Sequence, residues 1–333
     1  MIKLILGAND AGSRLDRYLR KHLALKSLSA IYHLIRRGDV KINEKKAKAD
    51  YRIHDGDVLE IPSLSNAELV HKKTAPSTQI KNLVNTDFFN RNFKIIFEDE
   101  TLILCNKPVR LAVHPGTGHL KSDTLIDCAK SYILSKTTAK NYIEPVLVHR
   151  LDKETSGIIM IAKNKQVLRK IHHSLRQGDI TKEYIALCHG VPQSRKGTIS
   201  LGLERTHTTA GGTKMKVSTN GTGSQSRYKV TWNSGHISEL SILLDTGKTH
   251  QIRIHTAHEG FPIIGDMRYG DREQDKKIFT ATGCMQRMYL HAYQLTFPHP
   301  VTRVVFNFTA PIPDEFGRLK NAIKNRRFIA NRR

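Results

Sequence analysis

The chain is short of acids, of cysteine and of long apolar runs, and each shortage narrows what it can be. Asp and Glu number 30 against 54 Lys and Arg, a formal charge of +24. A field of that strength repels itself unless it is used for attraction, so a polyanionic partner is implied, with nucleic acid ahead of an anionic membrane surface. No apolar run reaches the roughly 18 residues a spanning helix needs. The opening MIKLILGAND also lacks a signal peptide's long apolar stretch, so the expected compartment is the cytoplasm. The four cysteines, Cys105, Cys128, Cys188 and Cys284, show no Cys-x-x-Cys spacing. Neither a zinc knuckle nor a disulfide framework is expected of them, and they read as small buried apolar residues. There is no Gly-rich phosphate loop, no internal repeat and no mark of an obligate dimer interface, which leaves a monomer without metal or cofactor as the expectation.

Histidine is plentiful, at 17 residues, and densest in HQIRIHTAH, with His250, His255 and His258. Read as a strand, HQIRIH alternates and places His250 and His255 on opposite faces, where they cannot chelate one ion together. Structural or RNA-facing roles are expected instead.

The pattern over residues 11–62 is helix, helix, then short strands. In GSRLDRYLRKHL, Leu15, Leu19 and Leu23 recur every four residues while Arg14, Arg17, Arg20 and Lys21 fall elsewhere. That predicts an amphipathic helix with Ser13 as N-cap and a basic exposed side. A second helix, SAIYHLIRRG, turns Ile31, Leu34 and Ile35 inward, carries Arg36 and Arg37 near its negative dipole end, and stops at Gly38. DVKIN and DVLEIP follow as strands.

Residues 63–92 are polar without a sustained period and are read as a linker. From Phe93 strand-like runs follow closely: KIIFED, TLILCN, PVLVH, GIIMIAKN, KEYIALCHG, HISELSILLD, HQIRIH and VVFNFTA. Helices such as KNKQVLRKIHHSLRQG lie between them. The fold class is therefore α+β, with a large, mainly antiparallel sheet over residues 93–316 behind a small α/β domain at residues 1–62. Residues 317–333 make a basic tail, read either as a solvated terminal helix or as an RNA-backbone contact.

The stretch VHRLDKETSG, residues 148–157, places one carboxylate, Asp152, among His149, Arg150 and Lys153. Its flanks, PVLV and GIIMIA, are apolar runs of strand type, so the charged segment is a loop where buried strands end. Catalytic groups are often carried on such loops. Three readings compete. Asp152 could form an ion pair with Arg150 or Lys153. It could work with Glu154 as a glycosidase pair, although residues two apart on an extended chain lie only about 6 to 7 Å from each other on one face, whereas glycosidase carboxylates flank the sugar from both sides. Or it could be a lone carboxylate serving as nucleophile or base on a nucleoside, which needs no metal.

HRLDKETSG resembles the H-R-L-D-x-x-T-S-G motif of the RluA-type pseudouridine synthases. Further segments agree in order: NKP with VHPG, KEYIAL, GKTHQIRIH, GDMRYG and LHA. The N-terminal part resembles the S4 RNA-binding domain through Arg14, Leu15 and Asp16, then Arg37, Gly38, Val40, Asn43, Gly56, Asp57 and Val58. The resemblance implies isomerisation of uridine to pseudouridine in 23S ribosomal RNA, without cofactor. It makes Asp152 the catalytic aspartate, attacking C1′ or the base or abstracting a sugar proton. Arg150 would take the place of the flipped-out uridine, Tyr184 would stack on the target base, and Arg253 would pair with Asp152. Arg14, Arg36, Arg37, Lys248 and His149 are the further candidates for RNA contact.

Two departures stand out: Lys248 replaces the usual arginine before Thr-His-Gln, and Val109-Arg110 follows NKP where the family carries a glycine one residue later. A non-catalytic RNA-binding or ribosome-assembly protein, and an RNA N-glycosylase that releases uracil, remain the competing readings. The joint presence of Asp152, Tyr184 and Arg253 separates the first, because pure binding does not require it.

Overall fold

In the first sixty residues the leucine and isoleucine spacing does what an amphipathic pattern should. The computed structural model describes residues 2–7, 10–22, 28–62, 86–115, 123–137, 142–207 and 213–325. Strand β1 (Ile2–Ile5) is followed by helices α1 (Leu15–His22) and α2 (Leu28–Arg37) and strands β2 (Lys41–Ile42), β3 (Lys45–Lys46) and β4 (Val58–Ile61). The strands form an antiparallel sheet in the order β1-β4-β2-β3. Leu15, Leu19, Ile31 and Ile35 bury their side chains with Val40, Ile53, Leu59 and Ile61. Leu23, expected on the same face, lies outside the described residues. The first α1 hydrogen bond runs from the Tyr18 amide to the Arg14 carbonyl, so the helix opens one residue after the expected cap, Ser13.

Asn43 and Asp57 of the S4-like pattern have a plain structural job. Asn43 and Glu44 both take positive φ, 50° and 67°, which makes the β2–β3 connection a two-residue turn of the type that matches strand twist. The Asn43 side chain donates to Asp57 and accepts from the Val58 amide, and Asp57 also accepts from Tyr51 and the His54 amide. That network ties the turn to β4.

The chain divides into two compact units, one of residues 1–83 with 130–145 and 164–166, the other of the remainder. The remainder contains α3 (Thr86–Asn92), β5 (Lys94–Glu98), β6 (Leu102–Lys107), most of α5 (Lys165–Gln177), and the strands β7 (Val146–Leu147), β8 (Ser156–Ala162) and β9 (Thr181–His189). Helix α4 (Leu125–Lys136) begins in it. Strands β10 (Lys196–His207), β11 (Thr213–Val217), β12 (Thr222–Asn233) and β13 (Ile237–Leu244) follow. After them come α6 (Gln251–His258), α7 (Arg272–Thr282), β14 (Leu290–Pro298), β15 (Val305–Thr309) and α8 (Asp314–Asn325). Eleven strands make one sheet, ordered β11-β10-β12-β13-β9-β14-β8-β6-β5 with β15 on β14 and β7 on β8. Every strand pairing in it is antiparallel except β14 with β8. Strand β8, SGIIMIA, is buried along its whole length, as expected of a central strand covered on both faces. No helix among the described residues is long and apolar enough to cross a membrane.

Several expectations are corrected. HQIRIH is not a strand: residues 251–258 form helix α6, and Gln251 to Thr256 are all buried. Its polar residues are not an exposed face, because each finds an internal partner. Helix α3 occupies the end of the stretch read as linker, whose residues 63–85 lie outside the described ones. Helix α8 runs through the boundary placed at residue 316, and its Phe316, Leu319 and Ile323 join a core with Ile185, Leu187 and Tyr289. The first half of the basic tail is therefore packed helix, and residues 326–333 lie outside the described ones.

Candidate active site

The parallel β8–β14 crossing decides where Asp152 stands. Gly157 pairs with Ala292 at φ +116°, and a Cβ there would overlap the Ala292 carbonyl oxygen. The final glycine of VHRLDKETSG is thus a steric requirement of this crossing. Just before it, the Thr155 amide donates to the Asp152 carbonyl at 3.1 Å, closing a turn that presents the Asp152 side chain.

Asp152 lines a cleft of about 1070 Å³ together with Arg150, Tyr184, Lys182, Lys248, His250, Arg253 and Arg268. Arg253 Nη1 donates to Asp152 Oδ2 at 2.7 Å. The rest of the guanidinium is held by Asp266: Nε and Nη2 each donate at 2.7 Å, to Oδ2 and Oδ1. Asp266 Oδ1 also accepts from the Arg268 and Tyr269 amides. Burial opposes the Arg253 charge, but Asp266 and then Asp152 more than offset it and raise its pKa. Burial likewise works against the Asp266 charge, and Arg253 outweighs it and holds that carboxyl below its ordinary value. Asp152, paired with Arg253 rather than with Arg150 or Lys153, keeps about a quarter of its side chain exposed to the cleft.

Tyr184 is 7% exposed, and burial, with Asp152 adding to it, pushes its hydroxyl pKa up. The proton stays on the phenol across any physiological pH. Arg150 is exposed beside the loop. Lys248 is exposed in the connection before α6, where its backbone amide donates to Gln251 Oε1. His149 is turned inward: its Nε2 accepts from the Met160 amide, and burial, with Lys182 adding to it, lowers its pKa to about 3. It is neutral and offers no charge to a ligand.

In the N-terminal unit, Arg36 and Arg37 are exposed, Arg37 lying 3.1 Å from Asp39. The Arg14 fork is occupied by Asp16, at 3.1 and 2.8 Å, and Asp16 also accepts from Tyr32.

Other residues belong to the site although the sequence marked none of them as catalytic. His250 takes a left-handed φ of 56°, places Nε2 3.8 Å from Asp152 Oδ2, and meets Tyr269 Oη at 3.0 Å through Nδ1. The Tyr269 ring packs under the Arg253 guanidinium at 5.1 Å. Gln251 binds the Gln225 carbonyl and Ser226 with its amide and receives Thr246 and Lys248, pinning the loop before α6 to β12. His255 is fully buried with Nε2 on Ser224, and His258 is exposed, so the three histidines of HQIRIHTAH go separate ways.

Lys107 of the NKP segment is fully buried and donates to the carbonyls of Pro108, Leu111 and Lys153, the last within the Asp152 loop. Burial draws its pKa down to about 7, against the pull of Glu154 and Asp152. Arg110, in the place of the usual glycine, adopts φ 66°, so the turn keeps a glycine-like conformation, and its Nη2 donates to the Gln286 carbonyl. Among the described residues no group of three or more His, Cys, Asp and Glu is set to hold a metal ion.

A model of the RNA pseudouridylate synthase family matches residues 101–258, and one of the S4 domain matches residues 13–59. Ribosomal large subunit pseudouridine synthase C of Salmonella typhimurium is 34% identical to this chain over 325 residues, 97% of each. The chain belongs to the RNA pseudouridine synthase family. As a pseudouridine synthase it is an isomerase, with an S4 domain at its N-terminus. The synthase C of Yersinia pestis is 34% identical over 95% of this chain and 93% of its own. That of Pasteurella multocida is 32% identical over 97% and 94%. The solved structure of human RNA pseudouridylate synthase domain containing 4 shares the fold, with a TM-score of 0.56 at 24% identity over 72% of this chain and 95% of that one.

Proposed function

We propose that this synthase isomerises uridines of 23S ribosomal RNA to pseudouridine, with Asp152 as the reacting carboxylate. What carries the reading is the placement of Asp152 in an open cleft of a chain 34% identical, over 97% of its length, to a ribosomal large subunit pseudouridine synthase. The reaction detaches uracil from C1′, turns it and rejoins it through C5. Nothing is added or lost, so no redox or group-carrying cofactor is called for.

In this reading Arg253 fixes the Asp152 carboxylate, Tyr184 stacks on the extruded base, and Arg150 fills the gap left in the RNA stack. Extrusion costs a few kcal/mol of unstacking, which the stacking and the inserted guanidinium offset in part. Lys248 contacts the RNA backbone beside the cleft. Arg36 and Arg37 do so in the S4 part. Arg14 supports that surface through Asp16, and neutral His149 supports the Asp152 loop from within. Residues 1–62 grip structured RNA and residues from about 93 through α8 carry the chemistry. The protein acts as a monomer in the cytoplasm, without metal.

The test is pseudouridine mapping of 23S ribosomal RNA from cells lacking the protein, complemented with wild type or Asp152→Ala. Loss of specific pseudouridines, restored by wild type alone, is the expected result. An unchanged map, or full restoration by Asp152→Ala, overturns the reading. Free uracil as the product would point instead to N-glycosidic cleavage.

A further inference from the structure

The cleft holds one cation whose setting is unlike the others. Arg253 is matched by Asp152 and Asp266, and Arg227 by Asp245, with three contacts of 2.7 to 3.2 Å. Lys182 is also a lining residue, half-buried, yet it makes no hydrogen bond or ion pair among the described residues. Its neighbour Glu183 is spent on the other face of β9, where it accepts from Ser241.

Two features of the backbone place the ammonium in the cleft. Lys182 and Tyr184 are two apart on β9 and share its cleft face, about 6 to 7 Å from each other. Opposite, a Cβ on Gly247 would stand 3.3 Å from Lys182 Nζ, so the glycine leaves the ammonium its room beside the Gly247–Lys248 connection. A half-buried charge without a counterion is costly in a folded chain, and burial accordingly lowers the Lys182 pKa with no carboxylate acting against it.

We infer that Lys182 is a subsite for a phosphodiester oxygen of the RNA strand next to the extruded uridine, positioned by β9 so that phosphate and base are held from one strand. This rests on the pseudouridine synthase reading of the cleft and adds to it the group that recognises the backbone there. The substrate supplies the counterion that the protein withholds. A lysine is suited to the task, because a point charge with three donors accepts a phosphate oxygen from a range of directions. The same logic explains why no acid is paired with it: an internal partner would have to be displaced by every substrate.

The experiment uses the full chain and a synthetic RNA stem-loop with a single loop uridine. It is made in three forms: unmodified, and with a neutral methylphosphonate at the phosphate on the 5′ or on the 3′ side of that uridine. Binding and pseudouridine formation are measured separately for wild type, Lys182→Met and Lys182→Arg. For wild type, one of the two phosphonates is expected to weaken binding about tenfold. Lys182→Met weakens binding of unmodified RNA by a similar factor, reduces the dependence of log K on log salt by about one, and is indifferent to that phosphonate. Lys182→Arg restores most of the affinity. Because the methionine removes an unmatched charge, Lys182→Met melts no lower than wild type. If Lys182→Met still feels both phosphonates as wild type does, or binds unmodified RNA as well as wild type, the inference is wrong. A melting point several degrees lower would make Lys182 a structural residue and overturn it as well. Absence of pseudouridine with wild type, while the binding pattern holds, would count against the isomerase reading and leave the phosphate contact standing.

Discussion

Asp266 grips Arg253 with two parallel bonds of 2.7 Å, so the one remaining arm of the guanidinium is aimed at Asp152. The two carboxylates differ in access: the Asp266 side chain is 1% exposed and that of Asp152 27%. One is an anchor and the other faces the cleft.

Asp266→Asn tests this division. The amide keeps the shape but loses the charge and one acceptor of the fork, leaving Arg253 free to swing. Breaking a buried pair by removing one partner costs about 3–5 kcal/mol, so melting falls clearly. Pseudouridine formation in single turnover is expected to drop by roughly 100-fold or more, in line with a misplaced reacting group, while RNA affinity changes little. Unaltered turnover would show that Arg253 needs no second carboxylate.

Gly157→Ala tests the strand crossing. The added methyl meets the Ala292 carbonyl at a φ of +116° that side chains avoid, and both partners are backbone in central strands. A loss of several kcal/mol is expected, adding overpacking of about 1–3 kcal/mol to the cost of an unfavourable φ. Gly178→Ala is the control: φ is +79° but nothing lies within 4 Å, so about 1 kcal/mol is expected. Urea midpoints of the two variants should differ accordingly.

The acid limit of stability follows from two buried histidines. Burial first, with His258 adding to it, lowers His255 to about 4, and burial lowers His291 to about 4. Both are neutral in the folded chain, with Ser224 and Ser156 as partners. Between the unfolded value near 6.5 and the folded value near 4, the unfolded chain binds more protons, so stability falls as pH falls through that window. Each histidine accounts for about 3 kcal/mol at full protonation of the unfolded state. Melting curves at pH 7, 5.5 and 4.5 should show a progressive loss, and His255→Gln should flatten the slope. A flat profile over that range would mean that these histidines charge without penalty.

What the sequence made legible was what short-range pattern controls. Leu15, Leu19, Ile31 and Ile35 announce their helices, and the apolar run of β8 announces a central strand. Asp152 stood out because its neighbours are bases. Strand β12 was missed because its inward positions include Ser224 and Ser226 rather than apolar residues. Those serines face inward because His255 and Gln251 of α6 bond to them. For the same reason the alternation in HQIRIH misled: its polar residues are buried against partners that pattern does not reveal. Asp266, Tyr269 and Lys107 join the site through residues distant in the chain, Arg253, His250 and Lys153, as Arg253 does with Asp152 across 101 residues of chain.

Arg150 offers a separate test of the extrusion step. It lines the cleft beside Asp152, yet its side chain is exposed and has no internal partner among the described residues. Removing it should disturb neither the fold nor the Arg253–Asp152 pair. If the guanidinium fills the gap left by the extruded uridine, its worth depends on how well that uridine was stacked. Arg150→Ala is then expected to reduce kcat/KM by roughly 10- to 100-fold on an RNA whose target is stacked in a closed loop, where unstacking costs a few kcal/mol. On a short unstructured RNA carrying the same uridine, where little stacking is lost, the reduction should be only a few-fold. Equal losses on the two substrates would make Arg150 an ordinary backbone contact, because a phosphate contact is indifferent to whether the base was stacked.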